Sequence, residues 1–212
     1  MLNSPACRQH WRRSDCNPTL LSSTPHVIKL LVRDRSVQIK VKVSPVLALP
    51  DLYAGKLVAA FDRQHPRDLY DVRLFLQQER LTREVALAFL VYLVSHGRPL
   101  HEVLRPRFKD IRGEYEQAFR GMTVNEVPLE ALEQSRVDLL DRLHAAFTAD
   151  DRAFLLSVAE SRPRWDLLSL DGISDLPAVR WKLHNIGLMT LARRTAAIRA
   201  LESALETGRQ QD

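Results

Sequence analysis

Two periods divide this chain. Between positions 27 and 43 the hydrophobic residues follow a strand rhythm: VIKLLVR (27–33) and VQIKVKV (37–43) are rich in β-branched residues and flank a short polar Asp34-Arg35-Ser36 stretch. In the second segment Val37, Ile39, Val41 and Val43 fall on one face and Gln38, Lys40 and Lys42 on the other. This pattern predicts an antiparallel hairpin. From Pro45 onward the rhythm lengthens to that of helices, expected near 50–62, 66–78, 82–95, 99–104, 107–120, 128–146, 149–160, 177–186 and 190–206. Punctuation supports these spans: Pro50 in a first turn, Pro66 after His65, Thr82 as a cap, and Gly208 as a stop. Residues 1–26 hold Pro5, Pro18 and Pro25 and keep neither period, so an irregular leader is expected there. The expected class is α+β and predominantly helical: leader 1–26, hairpin 27–46, helical domain 47–212.

Composition changes this picture little. The chain is 45% hydrophobic and 27% charged, ordinary for a globular protein with ample core, and its net charge of +5 permits nucleic-acid or nucleotide partners without requiring them. The longest apolar run, VALAFLVYLV (85–94), is too short to span a bilayer and reads as a buried helix. No membrane partner is expected, and Cys7 and Cys16 form no disulfide framework or metal-ligand spacing, which favours a reducing, cytoplasmic setting. The histidines form no ligand spacing either. Trp165, Trp181 and the aromatics at 75, 89 and 92 are expected in the core, and Arg193, Arg194 and Arg199 on a solvated face.

The candidate chemistry lies between 52 and 72. Leu49, Leu52, Tyr53, Lys56, Ala60 and Arg63 share one helical face, which places Lys56 in an apolar stripe where burial is expected. A buried ammonium needs an anionic partner or ligand. Just beyond the His65-Pro66 break come Arg67, Asp68 and Asp71, with Asp68, Asp71, Val72 and Phe75 on one face of the next helix. Two readings fit. One is an internal network: Lys56 with Asp71, Arg67 with Asp71, and Asp68 at a helix N-terminus. The other is a cluster in which Lys56 and the arginines hold phosphate groups. Both require the two helices to pack side by side around one concavity.

The stretch LPDLYAGKLVAAFDRQHPRDLYDVRLFL (49–76) resembles the signature of the AbiEii/AbiGii nucleotidyltransferase toxins: a helical lysine, an arginine-rich joint, then R-D-x-x-D. LPAVRWKLHNIGLM (176–189) resembles the closing segment of that family, and VQIKVKVSPV its central strand. The resemblance extends over roughly 27–205. It implies that Lys56 and Asp71 are the catalytic pair, and that Lys56, Arg63, Arg67 and Asp68 contact the nucleotide. It further implies an NTP substrate, Mg2+, an RNA acceptor and a cognate antitoxin, with the hairpin as a remnant of a nucleotidyltransferase-like sheet.

The chain departs from that family's pattern at its metal site. It contains no Gly-Gly or Gly-Ser dipeptide and no Asp-x-Asp pair; DLYD (68–71) and DLLD (138–141) have the wrong spacing. Where the family has a strand carboxylate, the string Ile39-Lys40-Val41-Lys42 offers a lysine. Carboxylates bind the divalent ions of such reactions. The expectation is therefore a truncated or degenerate member with impaired catalysis and no metal ligands of its own. The alternative is a non-catalytic module that binds nucleotide, RNA or antitoxin.

Overall fold

The computed structural model describes residues 26–33, 39–46 and 48–207. The expected leader apart from His26, the expected turn at 34–36 with Val37 and Gln38, both cysteines and Gly208 lie outside the described residues. Strands β1 (His26–Arg33) and β2 (Ile39–Val46) pair antiparallel, with His26 opposite Val46 and Arg33 opposite Ile39. The second strand runs to Val46, past the expected end at 43, so Pro45 lies within the ladder although it has no N–H to donate. Among the described residues the sheet has these two strands alone. Descent of the hairpin from a larger nucleotidyltransferase sheet is therefore not supported.

The rest is helical: α1 (Leu49–Arg63), α2 (Pro66–Gln78), α3 (Arg83–Ser95), α4 (Leu100–Leu104), α5 (Arg112–Ala118), α6 (Leu129–Ala146), α7 (Ala149–Ala159), α8 (Pro177–Gly187) and α9 (Leu191–Thr207). Helix α3 is the spine. Thr82 caps it by accepting from the Val85 N–H, and every residue from Val85 to Val91 is buried, as are Leu93 and Val94. A helix apolar on all sides has to be surrounded, and α1, α4, α6, α7 and α8 all pack on it. No helix among the described residues is long and apolar enough to cross a membrane.

Helix α5 begins at Arg112 rather than near 107. The segment before it is held by side chains from far along the chain. The Gln64 amide donates to the Arg107 carbonyl at 2.9 Å and accepts from the Lys109 N–H at 2.9 Å, while Arg136 donates to the Lys109 carbonyl at 2.9 Å. Backbone groups satisfied in this way have no need of a helix. Two 3-10 turns that periodicity does not predict, Trp165–Leu167 and Ile173–Asp175, link α7 to α8.

Candidate functional site

The site is built at the joint of α1 and α2. Helix α1 stops because Gln64 adopts a left-handed conformation (φ 53°), with its N–H on the Ala60 carbonyl. Such a backbone is costly for a residue with a side chain. Gln64 is held there by its buried amide, pinned between Arg107 and Lys109. His65 then caps α2, its Nδ1 accepting from the Arg67 N–H at 3.2 Å, and Pro66 takes the first turn. The reversal is thus short and firmly braced.

Across the joint the charged residues pair between helices. Lys56 of α1 forms an ion pair with Asp71 of α2. Arg63 of α1 reaches Asp68 of α2, Nη2 to Oδ1, at 2.9 Å. Arg67 turns elsewhere: its guanidinium donates to the Ala118 carbonyl at the end of α5 at 3.3 Å. The expected Arg67–Asp71 contact is replaced by this one, because Asp71 faces α1 while Arg67 lies toward α5. Asp68 does sit in the first turn of α2, where negative charge is favoured.

Lys56 is not buried. Its side chain is 40% exposed and that of Asp71 39%. The buried stripe of α1 is Ala54, Leu57, Val58, Ala60 and Phe61, whereas Leu49 is 61% exposed. Because α1 is apolar on most sides, its period could not choose the inward face; packing on α3 chose it. Gly55 contributes to that packing: a Cβ there would lie 3.4 Å from the Tyr92 ring of α3, so the missing side chain lets the ring approach α1 one residue from Lys56. Burial, and secondarily the charge of Asp51, raises the Tyr92 hydroxyl pKa. Asp51 itself is buried in the first turn of α1, where the helix N-terminus favours a carboxylate.

Other expected placements divide. Phe75 and Phe89 are buried, and Trp165 packs its ring 5.5 Å from that of Phe154. Trp181, expected in the core, is 64% exposed. Arg193 and Arg199 are exposed, as expected, while the Arg194 guanidinium folds back onto the Gly187 carbonyl at 3.2 Å. Sequence reasoning missed Gln64, His65 and Arg136 as the braces of the joint. The one signal the sequence offered there was the His65-Pro66 helix break.

Mg2+ does not fit these residues. Among the described residues no group of three His, Cys, Asp or Glu side chains is placed to hold a metal ion. Asp68 and Asp71, the carboxylates at the joint, each contact a cation instead. A small divalent ion takes several oxygen ligands and would be repelled by Lys56 and Arg63.

Comparison with known proteins gives a family. The model of the family described as nucleotidyl transferase AbiEii toxin, Type IV TA system, matches residues 18–185. Neither the curated proteins nor the solved structures yield a match. The matched span covers most of the chain, from before β1 into α8, and contains the whole Lys56–Asp71 joint. The chain belongs to the AbiEii nucleotidyl transferase toxins of Type IV toxin–antitoxin systems.

Proposed function

We propose that the α1–α2 joint is a phosphate-binding half-site for a nucleoside triphosphate, and that this chain alone does not complete nucleotidyl transfer to RNA. Lys56 and Asp71 are the acting pair; Arg63, held by Asp68, supplies a second cation at the joint, and Arg67 would have to leave the Ala118 carbonyl to reach the phosphates. The observation that carries this reading is the accessibility of the Lys56–Asp71 pair, with about two fifths of each side chain open to solvent. An exposed ion pair contributes little to stability, typically about 0–1 kcal/mol. Its ammonium is therefore readily shared with an incoming phosphate, which makes stronger charge-assisted hydrogen bonds. Displaced from the lysine, the Asp71 carboxylate becomes a proton acceptor beside the bound phosphate.

The proposed impairment rests on the acids. Nucleotidyl transfer needs phosphate charge neutralised and the attacking hydroxyl activated, which carboxylate-held metal supplies. Lys56 and Arg63 serve the first need alone. Lys42 stands where the family has a strand carboxylate, and no Asp-x-Asp pair occurs in the sequence. The protein would act in the cytoplasm beside a cognate antitoxin. A second reading, binding without any catalytic role, is favoured by three large apolar residues left exposed within eleven positions, Trp181, Leu188 and Leu191, which suit a protein partner such as the antitoxin.

The experiment incubates purified protein with Mg2+ or Mn2+, each labelled NTP and bulk RNA, and measures NTP binding by calorimetry in parallel. The expected result is NTP binding that falls at least tenfold in Lys56→Met, with native stability and no label transfer. Robust transfer that disappears in Lys56→Ala would refute the impairment. Unchanged NTP affinity in Lys56→Met would refute the half-site.

A further inference from the structure

Away from the joint, the end of α3, α4, α8 and α9 line a pocket open to solvent on one side, of about 670 Å3, within the range typical of small-molecule sites. Its walls are largely apolar. Leu100, Ile186 and Met189 form part of them, and Ala196, Ala197 and Ala200 of α9 present a face of small side chains that leaves the space open. Trp181 stands on the lining with its side chain mostly exposed.

Beside the polar Ser95, His96, His101 and Asn185, the full charges of this lining have one sign. Lys182 and Arg193 belong to it, and among the described lining residues there is no Asp or Glu. Lys182 is only 7% exposed, and its ammonium donates to the His96 carbonyl at 2.7 Å and to the Arg98 carbonyl. An ammonium has three N–H donors, so one remains beyond these two carbonyls. Burial lowers the Lys182 pKa to about 8, opposed by the charge of Glu102. At neutral pH the group is still mostly charged: a buried cation in an apolar cavity, held by carbonyl dipoles. The two carbonyls and the more distant Glu102 offset only part of the cost of burying this charge, since its pKa is still lowered, and an anion brought to it offsets more.

We propose that this cavity binds a small molecule with an apolar body and a single carboxylate head, the head on Lys182 and the body along the alanine face of α9. The apolar walls supply affinity through area removed from water. Lys182 sets polarity and orientation, because a carboxylate gains a charge-assisted hydrogen bond that an alcohol of equal length does not. This site is independent of the α1–α2 joint.

The test titrates the full-length protein with decanoate, below its micelle-forming concentration, against decan-1-ol as the uncharged counterpart. Calorimetry and tryptophan emission give affinity and stoichiometry. Saturable one-to-one binding of decanoate is expected, with decanol at least tenfold weaker. Lys182→Met should bring decanoate down to the level of decanol. Ala197→Trp, which fills the cavity, should remove binding of both while circular dichroism stays native. The wild-type comparison and Ala197→Trp decide the matter even if the lysine variant does not fold. Equal affinity for the two ligands, no saturable binding, or decanoate binding that persists in Ala197→Trp would overturn the proposal.

Discussion

Arg83→Met should destabilise the helical body by about 3 kcal/mol while leaving the α1–α2 joint intact. Asp151 is fully buried in the first turn of α7, where it completes a capping box by accepting from the Thr148 N–H at 2.9 Å. The fork of Arg83, which opens α3, closes on the same carboxylate, with Nη2 on Oδ1 at 2.8 Å. Burial alone would raise the Asp151 pKa, but the Arg83 hydrogen bond and the Thr148 donors outweigh it and hold the pKa below the ordinary value of 3.8. Removing one partner of a buried pair costs roughly 3–5 kcal/mol. The Arg83 side chain is 40% exposed, so water can take part of its place and the lower end applies. For a chain of this size a loss of about 3 kcal/mol lowers the melting temperature by roughly 6–12 °C. A depressed carboxylate pKa gives stability that is present above the unfolded value and lost as pH falls through the folded one. The gap between wild type and Arg83→Met should therefore be full at pH 7 and should close below the ordinary value of 3.8. Urea unfolding at neutral and acidic pH, with NTP binding as the control on the joint, measures both. A cost under about 1 kcal/mol, or a gap that persists in acid, would refute the charge argument.

Three further outcomes are expected. His144 is buried with Nε2 on the Leu104 carbonyl at 3.1 Å, and burial lowers its pKa below 6.5. The unfolded chain then takes up a proton first as pH drops, so stability should decline below about 6.5; His144→Gln should flatten the urea-midpoint profile from pH 7.5 to 5.5, leaving the part due to His96, whose pKa is also lowered by burial. Gln64→Gly relieves a left-handed backbone worth about 1 kcal/mol but loses the hydrogen bonds to Arg107 and Lys109. It should be net destabilising and should expose the Lys109 amide to hydrogen exchange; a more stable variant would contradict the bracing role. Limited proteolysis should cut first within 1–26, which offers no apolar stripe to bury, and leave 47–205 as one resistant body; early cleavage inside 52–94 would count against that division.

The helical body and the gathering of charges at the α1–α2 joint were legible in the sequence because both are local. Helix stops and caps are written in neighbouring residues such as Thr82 and Pro66, and the all-apolar run 85–94 can only be an enclosed helix. A two-residue joint brings α1 against α2, so Lys56 was expected near Asp71 or Asp68, and it pairs with Asp71; that Asp68 takes Arg63 and that Arg67 turns to Ala118 was not foreseen. The brace beneath that joint was not legible. Gln64 acts on Arg107 and Lys109, 43 and 45 positions away, and no local period encodes such a bond or the late start of α5 that it imposes. The exposure of Lys56 was decided by tertiary packing in the same way. A helix apolar on most of its circumference has several faces of similar burial energy, and contact with α3, made close by Gly55 under Tyr92, turned the lysine outward. The cavity beside Lys182 came from long-range contact as well: α8 places the ammonium on carbonyls at the end of α3, 86 and 84 residues back, and small side chains on α9 leave the space open. Sequence determined which segments are helical and which charges share a joint, because those depend on neighbours a few residues apart; the structure decided which faces meet, because that depends on the sum of many weak contacts between distant segments.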